Sequence, residues 1–320
     1  MQVTDYMVPN EILWFCVLFV WAFLTTWLAE PIAIYIAYRV GVLDYPNERK
    51  VHKEPIPRAG GLAFFFGLIL APLILFPHDR RVLSFVLGAT VIYVFMFIDD
   101  WKGLSPYLKL LVQIIAASIV IIVGNIRFDF LNLEPLGTFL LSSYGSVFFS
   151  ILWIVALTNA VNFIDGLNGL ASGVIFISSL SFAVILLLRG YMLVATLAIL
   201  LAGTSLGFWP YNFPEAKTFM GDVGAQLLGF YIGVLTIWGS IKTIGGLLFI
   251  TYILLFILPL SDLTWSSMRR ILKGKHPFYP DKSHLHHVLL KMGISEKGVV
   301  IIAYIISTLM AVVAIYLVRR

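Results

Sequence analysis

Apolar stretches long enough to cross a lipid bilayer recur from one end of this 320-residue chain to the other, with no long polar block between them. A helix needs about 20 mostly apolar residues to span the hydrocarbon core, within a range of about 17–25. Ten stretches meet or approach that requirement, near 12–38, 62–77, 82–98, 108–124, 146–162, 169–188, 191–209, 223–238, 245–262 and 299–318. Lipid offers no partner to backbone N–H and C=O groups, so these segments are expected to be helices. Composition agrees: 60% of residues are hydrophobic and 12% charged, where soluble domains run near 45–50% and about 25%. The expected fold is all-α, one polytopic transmembrane bundle over residues 1–320. Strand signals and repeats are not evident, and residues 125–145 have room for a short interfacial element or an eleventh span.

Ten spans place both termini on one side and divide the loops into two sets. The loops around 39–61, 99–109, 163–168, 210–222 and 263–298 carry fifteen of the 22 lysines and arginines, and the opposite side carries seven. The positive-inside rule makes the first set cytoplasmic. Arg319 and Arg320 run against this count unless an eleventh span brings them inside. The net charge of +5 is spread over loops, which suits membrane orientation and gives no reason to expect a nucleic-acid partner. The single cysteine, Cys16, can form neither an internal disulfide nor a metal cluster. Asp5 and Glu11 stand where a cleavable signal would be basic, so the first span is expected to stay.

Polar groups with chemical potential fall on the basic face. Asp99 and Asp100 end the third span, with Lys102 and Lys109 after them. Paired carboxylates can share a proton or bind a divalent cation, although charge at a helix end also serves as an interfacial stop. Asn159, Asn162, Asp165 and Asn168 follow at steps of three, a spacing that lines one helical face or turn. A polar helix contact reinforced by small residues would explain them too, but such groups are costly at membrane depth unless they line a cavity. Asp222 lies between Gly221 and Gly224 at the start of the eighth span, either as a ligand that the backbone can approach closely or as an N-cap. Asn212 and Phe219, just upstream, offer an amide and an aromatic face for a base.

The longest loop of this face holds Asp281-Lys282-Ser283-His284-Leu285-His286-His287, with Arg269, Arg270, Lys273, Lys275 and His276 nearby. The company of ligands in the usual zinc signatures is absent, and imidazoles beside a basic loop suit phosphate better. Contact with anionic headgroups would also account for the arginines. Finally, Lys53, Pro57, Arg58, Gly60 and Gly61 lead into the second span, where two glycines can open backbone N–H groups to an anion or simply form a loop-to-helix junction. Carboxylates, amides, an aromatic and cations on one face are the parts that phosphoryl transfer needs.

In series, Pro57-Arg58-Ala59-Gly60-Gly61, Asp99-Asp100, the Asn159 to Leu170 run, Phe219 to Gly224 and His284-Leu285-His286-His287 resemble the polyprenyl-phosphate N-acetylhexosamine-1-phosphate transferases over nearly the whole chain. That resemblance implies attack by an undecaprenyl-phosphate oxygen on the β-phosphorus of a UDP-N-acetylhexosamine, with release of UMP. It implies Mg²⁺, with Mn²⁺ an alternative, and a UDP-sugar, a polyprenyl phosphate and the lipid bilayer as partners. A homodimer is compatible with it. It places the protein in the bacterial inner (plasma) membrane with a cytoplasmic site. By the family motif Asp222 resembles the metal ligand and a catalytic residue, and Asp99 and Asp100 the catalytic pair that handles the lipid phosphate. Asp165, Asn168, Asn212 and Phe219 resemble the uridine pocket, with Lys53 beside them. His284, His286, His287 and Arg269 would sit over the diphosphate or sugar, His286 and His287 as catalytic groups. Asn159, Asn162, Lys102 and Lys109 complete the expected substrate contacts. The His-Leu-His-His pattern resembles the undecaprenyl-phosphate N-acetylglucosamine-1-phosphate branch, which starts O-antigen, teichoic acid or similar glycans. The muramoyl-pentapeptide branch, typically with three consecutive histidines, is the nearest alternative. A transporter would instead set its polar groups near the midplane, often with inverted repeats.

Overall fold

The computed structural model describes residues 9–46, 54–132, 138–240, 246–272, 274 and 285–319. Lys53 and His284 lie outside the described residues, as do Lys242, Lys273, Lys275, His276 and Arg320. The chain folds into α1 (Pro9–Val40), β1 (Leu43–Asp44), β2 (Ile56–Pro57), α2 (Gly60–Phe65), a π turn (Phe66–Leu70) and α3 (Ala71–Leu75). It continues through α4 (Arg80–Lys102), α5 (Pro106–Gly124), β3 (Phe130–Asn132), β4 (Thr138–Leu140), α6 (Ser143–Ile164), α7 (Leu170–Leu188), α8 (Met192–Asn212) and α9 (Gly221–Ser240). The last elements are α10 (Gly246–Leu255), α11 (Ile257–Leu272), α12 (Leu285–Lys291) and α13 (Glu296–Arg319). Each expected apolar stretch is helical. Among the described residues, eight helices are long and apolar enough to cross a membrane, namely α1, α4 to α9 and α13.

The other two stretches differ from uninterrupted spans for identifiable reasons. The second is a 16-residue helical unit, Gly60–Leu75, with the π turn at its centre. There the Tyr231 hydroxyl of α9 donates to the Leu68 carbonyl, a partner of the kind that irregular helix turns need in lipid. The expected 245–262 span is broken at Phe256 into α10 and α11. Pro259 has no N–H to give the Leu255 carbonyl, and the missing donor is tolerated only in the first turn of a new helix. Past that point α11 carries Asp262, Arg269 and Arg270, which suits a membrane interface. Two antiparallel two-stranded ladders, β1–β2 and β3–β4, occupy loops where no strand was expected. The second lies in 125–145, so this segment holds a short hairpin, and no eleventh helix appears there among the described residues.

α9 sits at the centre, packed against α4 and α6, while α8 lies between α1 and α7. Its glycines admit the neighbours. A Cβ on Gly61 of α2 would stand 2.4 Å from the Gly224 nitrogen, closer than real Cβ atoms approach anything, so α2 and α9 meet backbone to backbone.

A candidate active site at the head of the central helix

The start of α9 is fixed by partners from distant parts of the chain. Gly221 has φ +69 and a Cβ there would lie 2.5 Å from Asp100 Oδ2, so the turn admits glycine alone without strain. Asp100, near the end of α4, accepts the Asp222 N–H at 2.9 Å through Oδ1 and the Val223 N–H at 3.0 Å through Oδ2. Negative charge is favoured at a helix N-terminus, where backbone N–H groups lack intrahelical partners. Asp222 is therefore not the N-cap of its helix. The cap comes from α4, and the Asp222 side chain is released for other work.

Lys109, from the first turns of α5, joins two carboxylates. Its ammonium lies 2.5 Å from Asp99 Oδ2 and 2.5 Å from Asp222 Oδ2. Asp99 also accepts the Leu104 N–H at 2.6 Å. Asn162 of α6 donates to Asp222 Oδ1 at 3.2 Å, and Gln226 donates to Asp222 Oδ2 at 3.3 Å. One turn deeper, Gln113 donates to Gln226 at 2.8 Å and Asn159 donates to Gln113 at 2.7 Å. This amide ladder through α5, α6 and α9 satisfies polar atoms that lipid could not.

Above the carboxylates opens a cavity of about 1010 Å³, lined among others by Asp100, Asn162, Asp165, Asn168, Phe219, Asp222 and His287. Asp165, in the turn after α6, has a carboxyl pushed up to about 7 by burial and by the negative charge of Asp222, partly offset by Arg58. Arg58 stands on the opposite wall. Its guanidinium donates to Asp44 and lies 3.8 Å from Asp100. Burial opposes its charge, but Asp44, Asp100 and Asp222 outweigh that and hold the proton more firmly than usual.

Several expected residues take other posts. Gly60 and Gly61 give their N–H groups to the Phe219 and Met220 carbonyls at 3.0 and 2.9 Å, so these donors bind chain rather than an anion. Asn212 lines the cavity, yet its oxygen accepts the Gly169 N–H at 2.7 Å and its amide donates to the Thr218 carbonyl at 3.0 Å. It clamps the turn before α7 to the loop before α9. Asn168 donates to the Pro214 carbonyl at 3.4 Å. Lys102 turns outward over the Trp101 ring, 4.4 Å from its centroid. His286 is buried against Gly166, with its ring 4.3 Å from that of His287, and only His287 reaches the cavity wall. α12, which carries both, is capped by Asp262 accepting the Leu285 N–H at 2.6 Å. Arg269 is half-buried on α11 and does not line the cavity. Asp44, Gln113, Gln226, Glu215, Glu296 and Lys297 were not anticipated. The two glutamines were findable, because a lone amide in an apolar helix is expensive without a partner; the others sit in short loops or helix starts that give no pattern.

The sequence has counterparts. Residues 82–240 match the model of glycosyl transferase family 4. The chain is 35% identical over 312 residues to a probable undecaprenyl-phosphate N-acetylglucosaminyl 1-phosphate transferase of Bacillus subtilis, covering 97% of this chain and 87% of that protein. The chain belongs to this family. It is 34% identical to the decaprenyl-phosphate N-acetylglucosaminephosphotransferase of Mycobacterium tuberculosis, covering 89% of this chain and 77% of the other. With the undecaprenyl-phosphate alpha-N-acetylglucosaminyl 1-phosphate transferase of Haemophilus influenzae the identity is 31%, over 93% and 84%. The family membership bears out the resemblance read from the motifs, and with it an enzyme that transfers a sugar phosphate.

The donor set also bears on a metal. Asp99, Asp100 and Asp222 each bring a carboxylate oxygen within 4.8 Å of the other two. An all-oxygen, anionic set suits a hard divalent cation. Asp100 is engaged with backbone N–H groups, and Lys109 already neutralises part of the charge on the other two. The residues present fit a divalent cation, which Asp222 and Asp99 would hold.

Proposed function

We propose that this protein transfers N-acetylglucosamine-1-phosphate from UDP-N-acetylglucosamine to undecaprenyl phosphate, giving undecaprenyl-diphosphate-N-acetylglucosamine and UMP, the first step of a cell-surface glycan. The observation that carries this reading is the carboxylate cluster of Asp99, Asp100 and Asp222, of which Asp100 and Asp222 line a large cavity, in a chain of this family. The N-acetylglucosamine in the names of all three relatives favours that sugar. The whole chain acts as one integral domain, in the bacterial inner membrane, with the cavity facing the cytoplasm where nucleotide sugars are made.

In this reading an oxygen of the lipid phosphate bonds to the β-phosphorus as the bond from that phosphorus to the bridging oxygen breaks, and UMP leaves with the electron pair. A phosphate monoester has its second ionisation near pH 6, so the attacking oxygen is already anionic at neutral pH and needs no general base. Mg²⁺, when bound, supplies charge neutralisation for the diphosphate. Asp222, with Asp99, is assigned to hold it. Asp100 positions the head of α9, so that Asp222 faces the cavity. Lys109 and Arg58 offset the carboxylate charge that would otherwise repel a diphosphate, and His287 closes the wall on the phosphate side. Phe219 and Asn168 stand where the nucleoside would lie.

The test is UMP release by purified protein in detergent, supplied with UDP-N-acetylglucosamine, undecaprenyl phosphate and Mg²⁺. Release that depends on the lipid acceptor and vanishes in Asp222→Ala supports the reading. No release from folded protein would sink it, and release only with UDP-N-acetylmuramoyl-pentapeptide would refute the sugar assignment.

A further inference from the structure

In the C-terminal half of α1 lies a buried acid for which the transfer reaction has no use. Pro31 interrupts the hydrogen-bond ladder of α1; having no N–H, it leaves the Trp27 carbonyl without its helical donor. The Tyr211 hydroxyl, from the end of α8, donates to that carbonyl at 3.0 Å. The residue before the proline, Glu30, is fully buried, and neither of its carboxyl oxygens has a hydrogen-bond partner among the described residues. Thr26, one turn earlier on the same face, is also fully buried with a free hydroxyl. The seam they occupy is tight. Cβ atoms on Gly203 and Gly207 of α8 would lie 2.5 Å from the Phe19 and Phe23 carbonyl oxygens of α1.

The charged groups around Glu30 can be named for each element packed on it. From α8 comes Tyr211, whose hydroxyl reaches the Trp27 carbonyl, with the Lys217 ammonium 6.0 Å from the Tyr211 ring centroid. Arg58, between β2 and α2, is engaged with Asp44 and Asp100 and makes no ion pair with Glu30. No ion pair to Glu30 exists among the described residues. An ionised carboxylate in such a seam would be uncompensated, and a neutral acid is far less costly there.

The same turn is tied to the reaction centre. The Tyr211 carbonyl accepts the Lys217 and Thr218 N–H groups at 2.8 and 3.3 Å, and the next residue, Asn212, clamps Thr218. Thr218 begins the run that ends at Asp222. We propose that Glu30 binds a proton as a neutral carboxylic acid in the α1–α8 seam and, with Tyr211, acts as a positioning pair for the loop that carries Asp222. Loss of that proton puts a charge between α1 and α8, loosens the Tyr211 hold on the Pro31 break, and displaces the loop.

The activity part of this inference rests on the proposed transferase reaction, while its protonation part does not. The first measurement is infrared spectroscopy of the purified full-length protein in lipid at neutral pH, wild type against Glu30→Gln. A protonated-carboxyl C=O band present in the wild type and missing from the variant is expected. If the difference spectrum shows a carboxylate instead, the acid is ionised and the proposal falls, whatever the protein catalyses. The second is the pH profile of UMP release. Above the midpoint of this acid the wild type should lose about tenfold in rate per pH unit, as one titrating group requires, while Glu30→Gln keeps its rate. Tyr211→Phe should lower the rate several-fold with the KM for the nucleotide sugar unchanged. Identical alkaline limbs in wild type and Glu30→Gln would overturn the positioning role.

Discussion

α9 and α1 are both apolar helices of membrane-spanning length, yet they live in different solvents. In its most apolar window α9 is 94% buried within the protein, whereas α1 is 28% buried and turns Leu13, Leu28 and Ile32 outward. α9 is also the least apolar of the eight long helices. The two facts have one cause. A helix surrounded by other helices need not match lipid, so its sequence is free to carry glycines for close packing and polar groups whose partners are supplied by neighbours. Asp222, Gln226 and the close approach at Gly224 all use that freedom. A helix facing lipid can afford polarity only on its inner seam, which is where Thr26 and Glu30 are found.

The contrast can be broken in graded ways. Removing the carboxylate at its centre, Asp222→Ala, should lower UMP release by about a thousandfold, the scale seen when a group aimed at developing charge is deleted, while gel filtration shows the same folded species. Lys109→Met deletes the cation between Asp99 and Asp222 and leaves their charges facing each other. Its activity should fall by about 10- to 100-fold, and its Mg²⁺ requirement should shift, read from metal titrations of the rate. Gly61→Val forces a side chain against the Gly224 backbone and should cost at least about 1–3 kcal/mol, seen as a lower melting temperature. Ile122→Ala trims a side chain that is 71% exposed on α5; facing lipid, it should change stability by less than about 0.5 kcal/mol. A melt in which Ile122→Ala loses as much as Gly61→Val would erase the distinction between inner and outer helices.

A pH measurement sharpens the same boundary. The Asp165 carboxyl is raised from 3.8 to about 7 by burial and by Asp222. The folded state thus holds this proton more tightly than the unfolded chain. Its stabilising contribution is complete below about pH 4, declines as pH rises, and is gone above about pH 7. Asp165→Asn should flatten stability over that window in thermal melts from pH 4 to 8, and an unchanged slope would refute the assignment.

Much of this was legible in the sequence, and for a clear reason. Helices in lipid declare themselves by apolar length, and the reactive groups declare themselves as the exceptions to it, so the helical segments and the meeting of Asp99, Asp100, Asn162, Asp165 and Asp222 could be anticipated. What could not be read was which side chain serves which partner. The adjacent pair Asp99 and Asp100 divides its labour because successive residues on a helix point about 100° apart, one toward Lys109 and one toward α9. Asn212, expected at a base, lines the cavity and also joins two loops that are distant in sequence. The break at Phe256 follows from Pro259, yet composition alone makes 245–262 look continuous.

The bond from Asp100 to the head of α9 spans 122 residues of chain. During synthesis, then, the end of α4 emerges long before its partner exists. Lys109, on the very next helix, is at hand to meet Asp99 as the α4–α5 hairpin forms, so an acidic helix end can settle at the membrane surface with a counter-ion of its own. Asp100 acquires its lasting partners only when α9 inserts between α4 and α6. The carboxylate cluster closes with the arrival of that helix, and the cavity wall that carries His287 follows with α12 and α13.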